Sequence, residues 1–334
     1  MTQHALPPEA VLMQMLMGKF ISKSLSLVAS LGVADHIDGP TPSDAIAAAT
    51  HTNADAMYRV LRALAAVGVF VEHPGRKFGL TPVGERLRTN HSHSMRAMAC
   101  MLNDDWNWTA WGSLGHSVAT GATAFEHATG MKVFEYFSTH PEESKRFNEA
   151  MTSLTVGVTA AVVDAYDFSE VKHIVDVGGS HGILSAGIVD KFAGVRATVF
   201  DLPHVIAETS KHLAGNARIG TASGSFFEPL PNADAYIMKS IIHDWDDASC
   251  TKILAQCRAA MEPRGRVLIV ESLVTDGPES TFVKLIDLEM LVVAPGGRER
   301  TRDEYAALFD SAGLKLARVV PTKGPFSVIE GRAA

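Results

Sequence analysis

One histidine and two glutamates stand out for the chemistry they could share. His243 opens the run His243-Asp244-Trp245-Asp246-Asp247, Glu271 ends an apolar run, and Glu299 follows the turn Ala294-Pro295-Gly296-Gly297. An imidazole titrates near neutral pH, and a carboxylate beside it fixes its tautomer and steadies the imidazolium formed on proton uptake. This trio is suited to general-base work. Asp244 adjoins the histidine and joins the candidate catalytic set. Asp246 and Asp247 read instead as a helix cap with a solvated first turn. A metal centre does not follow, because adjacent acids at a helix start point apart.

A second group has the chemistry of ligand holding. Ile174-Val175-Asp176-Val177 leads into Gly178-Gly179-Ser180-His181-Gly182 and then an apolar, helix-like stretch. Glycines let a backbone approach a bulky ligand, and a helix amino end offers unpaired N–H groups. A dinucleotide site calls for Gly-x-Gly-x-x-Gly with an acid about 20 residues on. Here one acid, Asp176, lies inside the strand end, and another, Asp201, closes the next apolar run, where it can grip two ribose hydroxyls. That pattern suits a nucleoside without a pyrophosphate, of which S-adenosylmethionine is the usual case. An ordinary strand–turn–helix with no cofactor is the alternative on these residues alone.

The elements that must position these groups alternate. Strands are expected near 173–178, 196–201, 217–222, 234–241 and 266–271, with helices between most of them. Two more, near 314–321 and 326–331, are joined by a link too short for a crossover helix and so form an antiparallel hairpin. In an open α/β sheet, ligands bind beyond the carboxyl ends of the strands. His243, Glu271 and the glycine turn all fall at such ends.

The preceding chain is helical. Residues 10–37 read as one helix with an apolar face widened by Met13, Met15 and Met17, which serves either as core or as a dimer contact. Thr41-Pro42-Ser43-Asp44 caps a short helix, Asn53 caps another, and residues 69–80 form a hairpin. Helices followed by a wing outline a winged-helix module. Basic residues only slightly outnumber acidic ones over the first hundred positions, whereas a reader of duplex DNA shows a basic stripe. Dimerisation is the better reading. From Ser94 to Tyr166 the chain is rich in large apolar groups, among them Trp106, Phe134, Phe147 and Met151, and some of these line a substrate pocket.

Composition sets the frame. The 334 residues are 46% hydrophobic and 20% charged, with net charge −7 and pI about 6.0. This fits a two-domain globular enzyme and disfavours an electrostatic nucleic-acid binder. Cys100, Cys250 and Cys257 form no Cys-x-x-Cys and read as thiols of a reducing cytoplasm. No apolar run is expected to reach membrane-spanning length, and no signal pattern opens the chain.

Four motifs in order, Val175-Asp176-Val177-Gly178-Gly179, Phe200-Asp201-Leu202-Pro203-His204, His243-Asp244-Trp245-Asp246-Asp247 and Pro295-Gly296-Gly297-Arg298-Glu299-Arg300-Thr301, resemble the class I small-molecule O-methyltransferases. The type is that of plant caffeic-acid and acetylserotonin enzymes and their bacterial antibiotic-pathway relatives. The resemblance covers nearly the whole chain. It implies an α/β fold with a mostly parallel, seven-stranded Rossmann-like sheet and a C-terminal antiparallel hairpin. It implies an N-terminal helical, winged-helix-like dimerisation domain at 1–92, a helical linker at 93–166 contributing to the substrate pocket, and a methyltransferase domain at 167–334.

By the same resemblance Asp201 holds the ribose, Leu202 and Trp245 surround the adenine, Lys239 edges the cofactor site, and Gly178 faces the methionine moiety. Met151 and Thr155 approach the cofactor from the helical side. His243 is the base for an in-line transfer that needs no metal, flanked by Glu271 and Glu299, and Met290 packs on the acceptor ring. Three departures stand out. Ser180 and His181 replace the commoner Gly and Thr, which is tolerable if Ser180 avoids a positive φ. Ser225 replaces an adenine-binding Asp, with Phe226 able to cover the ring. Ala294 replaces a substrate-touching Asn, which favours a bulkier, polycyclic acceptor of phenazine or anthracycline type. N- or C-methylation on the same fold, and a ligand-sensing winged-helix regulator, are the alternatives.

Overall fold

The computed structural model describes residues 6–213, 215–277 and 281–334. They fall into two compact units, one reaching to Trp108 and including Glu142–Ser153, the other comprising Thr109–Pro141 and Leu154–Ala334. Helix Pro141–Ala165 contributes to both.

The first unit gathers helices Ser43–Ala49 and Ala54–Ala66 and strands Phe70–His73 and Lys77–Leu80 around Val28, Ile46, Leu61, Phe70 and Phe78, all buried. Asn53 caps the second of these helices as expected, its side chain accepting the Ala56 N–H. The first helix of the pair starts at Ser43 with no side-chain cap, so the expected Thr41–Asp44 cap is not made. Thr41–Pro42 pairs instead with strand Lys77–Leu80, adding a third strand to the hairpin.

The single helix expected over 10–37 is also corrected. It is divided into Pro8–Leu16 and Gly18–Ser30, with a short 3-10 turn at Val33–His36. Gly18 lies at the first break and Gly32, at φ +64°, at the second, where the residue weakens a helix by its backbone freedom. Pro8–Leu16 buries none of its residues, and Leu12, Met13, Met15, Leu16 and Phe20 are exposed. Taken together, the 23 residues Pro8–Ser30 are long and apolar enough to cross a membrane by length and composition, contrary to the expectation that no stretch is.

In the second unit seven strands form one sheet: β1 (His173–Val177), β2 (Arg196–Asp201), β3 (Ile219–Ser223), β4 (Ala233–Lys239), β5 (Met261–Ser272), β6 (Leu314–Pro321) and β7 (Phe326–Ala333). Their order is β3-β2-β1-β4-β5-β7-β6, parallel from β3 to β5, with β7 antiparallel to both neighbours. The side-chain period of two divides the strands between two cores. Val175, Val177, Tyr236, Met238, Val267 and Ile269 pack with Ile253, Leu254 and Cys257 of helix Asp247–Ala260 and Tyr305 of helix Arg302–Ser311. Ile174, Ala235, Ile237, Leu268 and Val270 pack on the other face with Val158 and Val162 and with Leu184 and Ile188 of helix Ile183–Lys191. Parallel strands end at one edge. That edge carries Gly178, Asp201, Lys239 and Glu271 together.

Candidate active site

The glycine turn after β1 is built for close approach. A Cβ at Gly178 would lie 2.5 Å from Ile241 Cδ1, and one at Gly179 would lie 2.7 Å from Asp176 Cγ. Gly178 and Gly182 have φ of +69° and +72°, which only glycine takes cheaply. Ser180 does not avoid a positive φ, the condition set for tolerating it here. It stands at +47°, pinned by its N–H donating to Asp201 Oδ2 (2.9 Å) and its carbonyl accepting from Thr209 Oγ1 (2.7 Å).

The acids of this edge part company. Asp176, expected to touch the cofactor, is 2% exposed and accepts from Ser185 Oγ at 2.7 Å. Burial pushes its pKa up to about 6, and its place is beneath the turn as a support. Asp201 stays partly open, its two oxygens steadied by the N–H groups of Leu202 and Ser180, and burial raises its pKa against those two bonds. A carboxylate so oriented keeps lone pairs for a diol. Leu202 beside it is 44% exposed, apolar surface that a ring can cover.

Trp245 is walled by aromatics. Phe226 and Phe227 meet it edge-on with centroids at 5.8 and 5.0 Å, and Phe134, half open, stacks on it at 5.8 Å and 16°. Ser225 accepts the Phe227 N–H at 3.3 Å. Lys239 ends β4 and donates to Ser240 Oγ; burial brings its pKa down to about 8 against the pull of Asp244, Asp176 and Glu271.

His243 sits in a tight turn after β4. Its Nδ1 lies 2.7 Å from Glu299 Oε1 and its Nε2 lies 3.6 Å from Asp244 Oδ1, with 13% of the side chain exposed. Burial opposes the imidazolium. Asp244, the hydrogen bond to Glu299, and the charges of Glu271 and Glu299 outweigh it and push the pKa up to about 9. Asp244 in turn is pushed up to about 6 by burial, with His243 pulling the other way.

Glu271 departs from its expected place at the imidazole. Its Oε1 accepts the backbone N–H groups of Ile241 (3.0 Å), Ile242 (2.7 Å) and His243 (3.2 Å), and its Oε2 accepts from Tyr305 OH. It therefore holds the turn rather than the ring. Asp247, read as a solvated first-turn acid, pairs with Arg298 and Arg300, while Asp246 caps its helix as expected by accepting the Ser249 N–H. Arg300, Tyr305 and Asp287, which accepts the Glu299 N–H at 2.9 Å, carried no expected role. No local pattern marks Arg300, whose bridge to Leu273 beyond the end of β5 is set by long-range packing.

Met290 and Ala294 are buried at the end of helix Thr281–Val293, and Ala294 accepts the Gly297 N–H at 3.0 Å. Thr155 is buried in the same unit. Trp106, Phe147 and Met151 belong to the first unit. Among the described residues of the second unit, four buried side-chain atoms have no hydrogen-bond partner, Ser117 Oγ, Arg266 Nε, Ser180 Oγ and Glu299 Oε2, and the last two lie at this edge. A buried polar atom so placed beside a ligand-holding turn is where a ligand group would bond.

A bare glycine backbone, a steadied carboxylate at the end of β2, and an exposed leucine beside it fit an adenine nucleoside. The O-methyltransferase domain family matches residues 111–315, and the O-methyltransferase dimerisation domain matches residues 13–90. The chain belongs to the O-methyltransferase family. It is 41% identical over 333 residues to the phenazine O-methyltransferase PhzM of Lysobacter antibioticus, covering 98% of this chain and 97% of that one. The crystal structure of LaPhzM matches this O-methyltransferase with a TM-score of 0.94 at 41% identity, over 98% of this chain and 100% of that chain. NcsB1, an O-methyltransferase from neocarzinostatin biosynthesis solved with S-adenosylhomocysteine and 1,4-dihydroxy-2-naphthoic acid, matches at 0.78 and 31% identity, over 94% and 96% of the two chains.

Proposed function

We propose that this O-methyltransferase methylates a hydroxyl of a fused-ring aromatic natural product of phenazine type, with His243 as the proton acceptor and no metal in the step. The observation that carries the reading is the 2.7 Å bond between His243 Nδ1 and Glu299, which leaves Nε2, 3.6 Å from Asp244 Oδ1, as the ring nitrogen to take the acceptor's proton. Ala294 in place of a polar residue, and the half-open ring of Phe134, suit a broad apolar acceptor.

A phenol has a pKa of about 10, so only about one molecule in a thousand is ionised at pH 7, a deficit of about 4 kcal/mol. When bound, S-adenosylmethionine supplies a methyl group made electrophilic by its sulfonium. His243 takes the acceptor's proton as the oxygen attacks, help of roughly a hundred- to ten-thousandfold. The ring is charged below about pH 9 in the protein alone. A further positive charge held in this loop cluster disfavours the imidazolium and turns His243 toward its neutral, proton-accepting form. Asp201 and Ser225 are assigned to the nucleoside, with Leu202, Phe226 and Trp245 enclosing the adenine. Lys239, Gly178, Gly179, Met151 and Thr155 are assigned to the rest of the donor, and Met290, Phe134, Trp106 and Phe147 to the acceptor.

We assign residues 1–92 to a homodimer contact, 93–166 to the roof of the acceptor pocket and 167–334 to methyl transfer. The dimerisation-domain match over 13–90 and the uncovered apolar face of Pro8–Leu16 support the first of these, with that face directed at a second copy rather than a bilayer. Three free thiols fit a cytoplasmic setting, and the net charge of −7 disfavours nucleic acid.

The test is transfer from methyl-labelled donor to a panel of fused-ring phenols and N-hydroxy heteroaromatics, run with His243→Ala alongside. The variant should lose about two to four orders of magnitude in kcat on a phenol. It should lose less on a more acidic N-hydroxyl, which ionises without help. Near-normal turnover of a phenol by the variant would remove His243 from this role, and no labelling across the panel would remove the acceptor class.

A further inference from the structure

The turn that carries His243 is held from two sides, and the two sides meet in one short segment. Its N–H groups are taken by Glu271. Its carbonyls are taken by Arg298 and Arg300: the Arg298 N–H donates to His243 O at 2.8 Å, Arg300 Nη1 to Ile242 O at 3.1 Å, and Arg300 Nη2 to Trp245 O at 2.8 Å. Arg300 is fully buried, and its charge is met by Asp247 Oδ1, which accepts from Nε and Nη2 at 3.1 and 2.8 Å. A cation withdrawn from water needs such a partner and a full set of acceptors.

Arg300 also bridges Leu273 in parallel, and its carbonyl accepts the Val274 N–H at 3.0 Å, so the segment extends along the end of β5. Successive side chains of an extended segment point to opposite sides. Glu299 therefore reaches the imidazole while its neighbour Arg300 reaches the backbone beneath that same imidazole. Gly297 permits the approach, since a Cβ there would lie 2.7 Å from His243 O.

We infer that Arg300, paired with Asp247, is the positioning residue that keeps His243 in register with Glu299, an inference that rests on the assignment of His243 as proton acceptor. Five N–H donors in a fixed plane bind two carbonyls and a carboxylate at once, which the single ammonium of a lysine does not reproduce. The charged groups acting on the ring are Asp244 on its own turn, Glu299 on the bridging segment and Glu271 at the end of β5, with Lys239 at the end of β4 acting on Asp244 and Asp287 of helix Thr281–Val293 behind Glu299. None of these is altered by replacing Arg300. What changes is the fit of Nδ1 to Glu299.

The test is Arg300→Lys in the full-length protein, read by the NMR titration of the His243 ring, by the pH profile of kcat, and by acceptor KM. The titration should move down toward the ordinary histidine range as the bond to Glu299 loosens. At fixed pH kcat should fall about tenfold or more, with acceptor KM changed by no more than about threefold, because misplacement of a reacting group acts on the step itself. Asp247→Glu, which keeps a carboxylate for the guanidinium, should retain most of the activity, whereas Asp247→Ala should follow Arg300→Lys. Should Arg300→Lys fail to fold, Asp247→Ala, altered at a half-exposed side chain, carries the same three readouts. An unmoved histidine titration and pH profile in a folded variant, even one that melts earlier, overturns the inference. If His243→Ala retains turnover while Arg300→Lys still moves the ring titration, the assignment of the base falls and the positioning by Arg300 stands.

Discussion

His243 carries the sharpest consequence at the scale of single residues. Its pKa, raised to about 9, keeps the ring charged at neutral pH, and only the uncharged ring accepts a proton. The kcat/KM for the donor, which reports the protein before the sulfonium is bound, should therefore climb as pH rises through the range below 9 and level off above it, for an acceptor that stays protonated throughout. A profile flat from pH 6 to 9 would show that the imidazole does not titrate in the step. Ser180 offers an independent check. Its φ of +47° costs a non-glycine residue about 1–2 kcal/mol, so Ser180→Gly should stabilise the ligand-free protein by about 1 kcal/mol, seen as a melting point higher by about 2 °C. A lower melting point would mean that the serine side chain supports the turn. At this scale the sequence singled out residues whose types could carry chemistry and was silent on what they touch. His243, Glu299 and Asp244 come together as their types suggest. Glu271 is the same residue type as Glu299, yet three N–H groups and a tyrosine hydroxyl claim it, and only the path of the turn decides that.

Elements were legible where the pattern was local. All seven strands of the sheet lie close to where alternation and turns put them, because an apolar run bounded by glycines and acids has few other solutions. The opening helix was drawn too long, since an apolar face continues across Gly18 even though the helix does not. The bridge between residues 298–301 and the end of β5 left no periodic trace. It is two residues of pairing set by long-range packing. Gly297→Ala tests that bridge as an element. A Cβ placed 2.6 Å from Ala294 Cβ and 2.7 Å from His243 O must push the two loops apart. Activity should fall by more than tenfold with a melting loss of a few degrees, read by initial rates and thermal denaturation. Unchanged rates would show that the loops tolerate separation.

Over the whole molecule, the uncovered apolar residues of Pro8–Ser30 call for a partner surface. Leu12→Glu with Leu16→Glu should shift the mass in light scattering from twice 35.8 kDa toward 35.8 kDa, because a charge withdrawn from water at each contact opposes association. An unmodified chain that already runs at 35.8 kDa would overturn the assignment. The division of the chain shows a further limit of sequence: no composition change marks the boundaries near Trp108 and Ser153, and helix Pro141–Ala165 runs through one of them unbroken.

The placing of β7 between β5 and β6 governs how the molecule is made. Residues 326–333 supply the inner rung on which β5 leans, and buried Glu330 there gathers Tyr166, Arg318 and Arg332. Until that stretch arrives, the row of amide groups along β5 faces water and invites the wrong neighbour. A chain shortened before Phe326 should therefore clump on refolding rather than yield a smaller working catalyst.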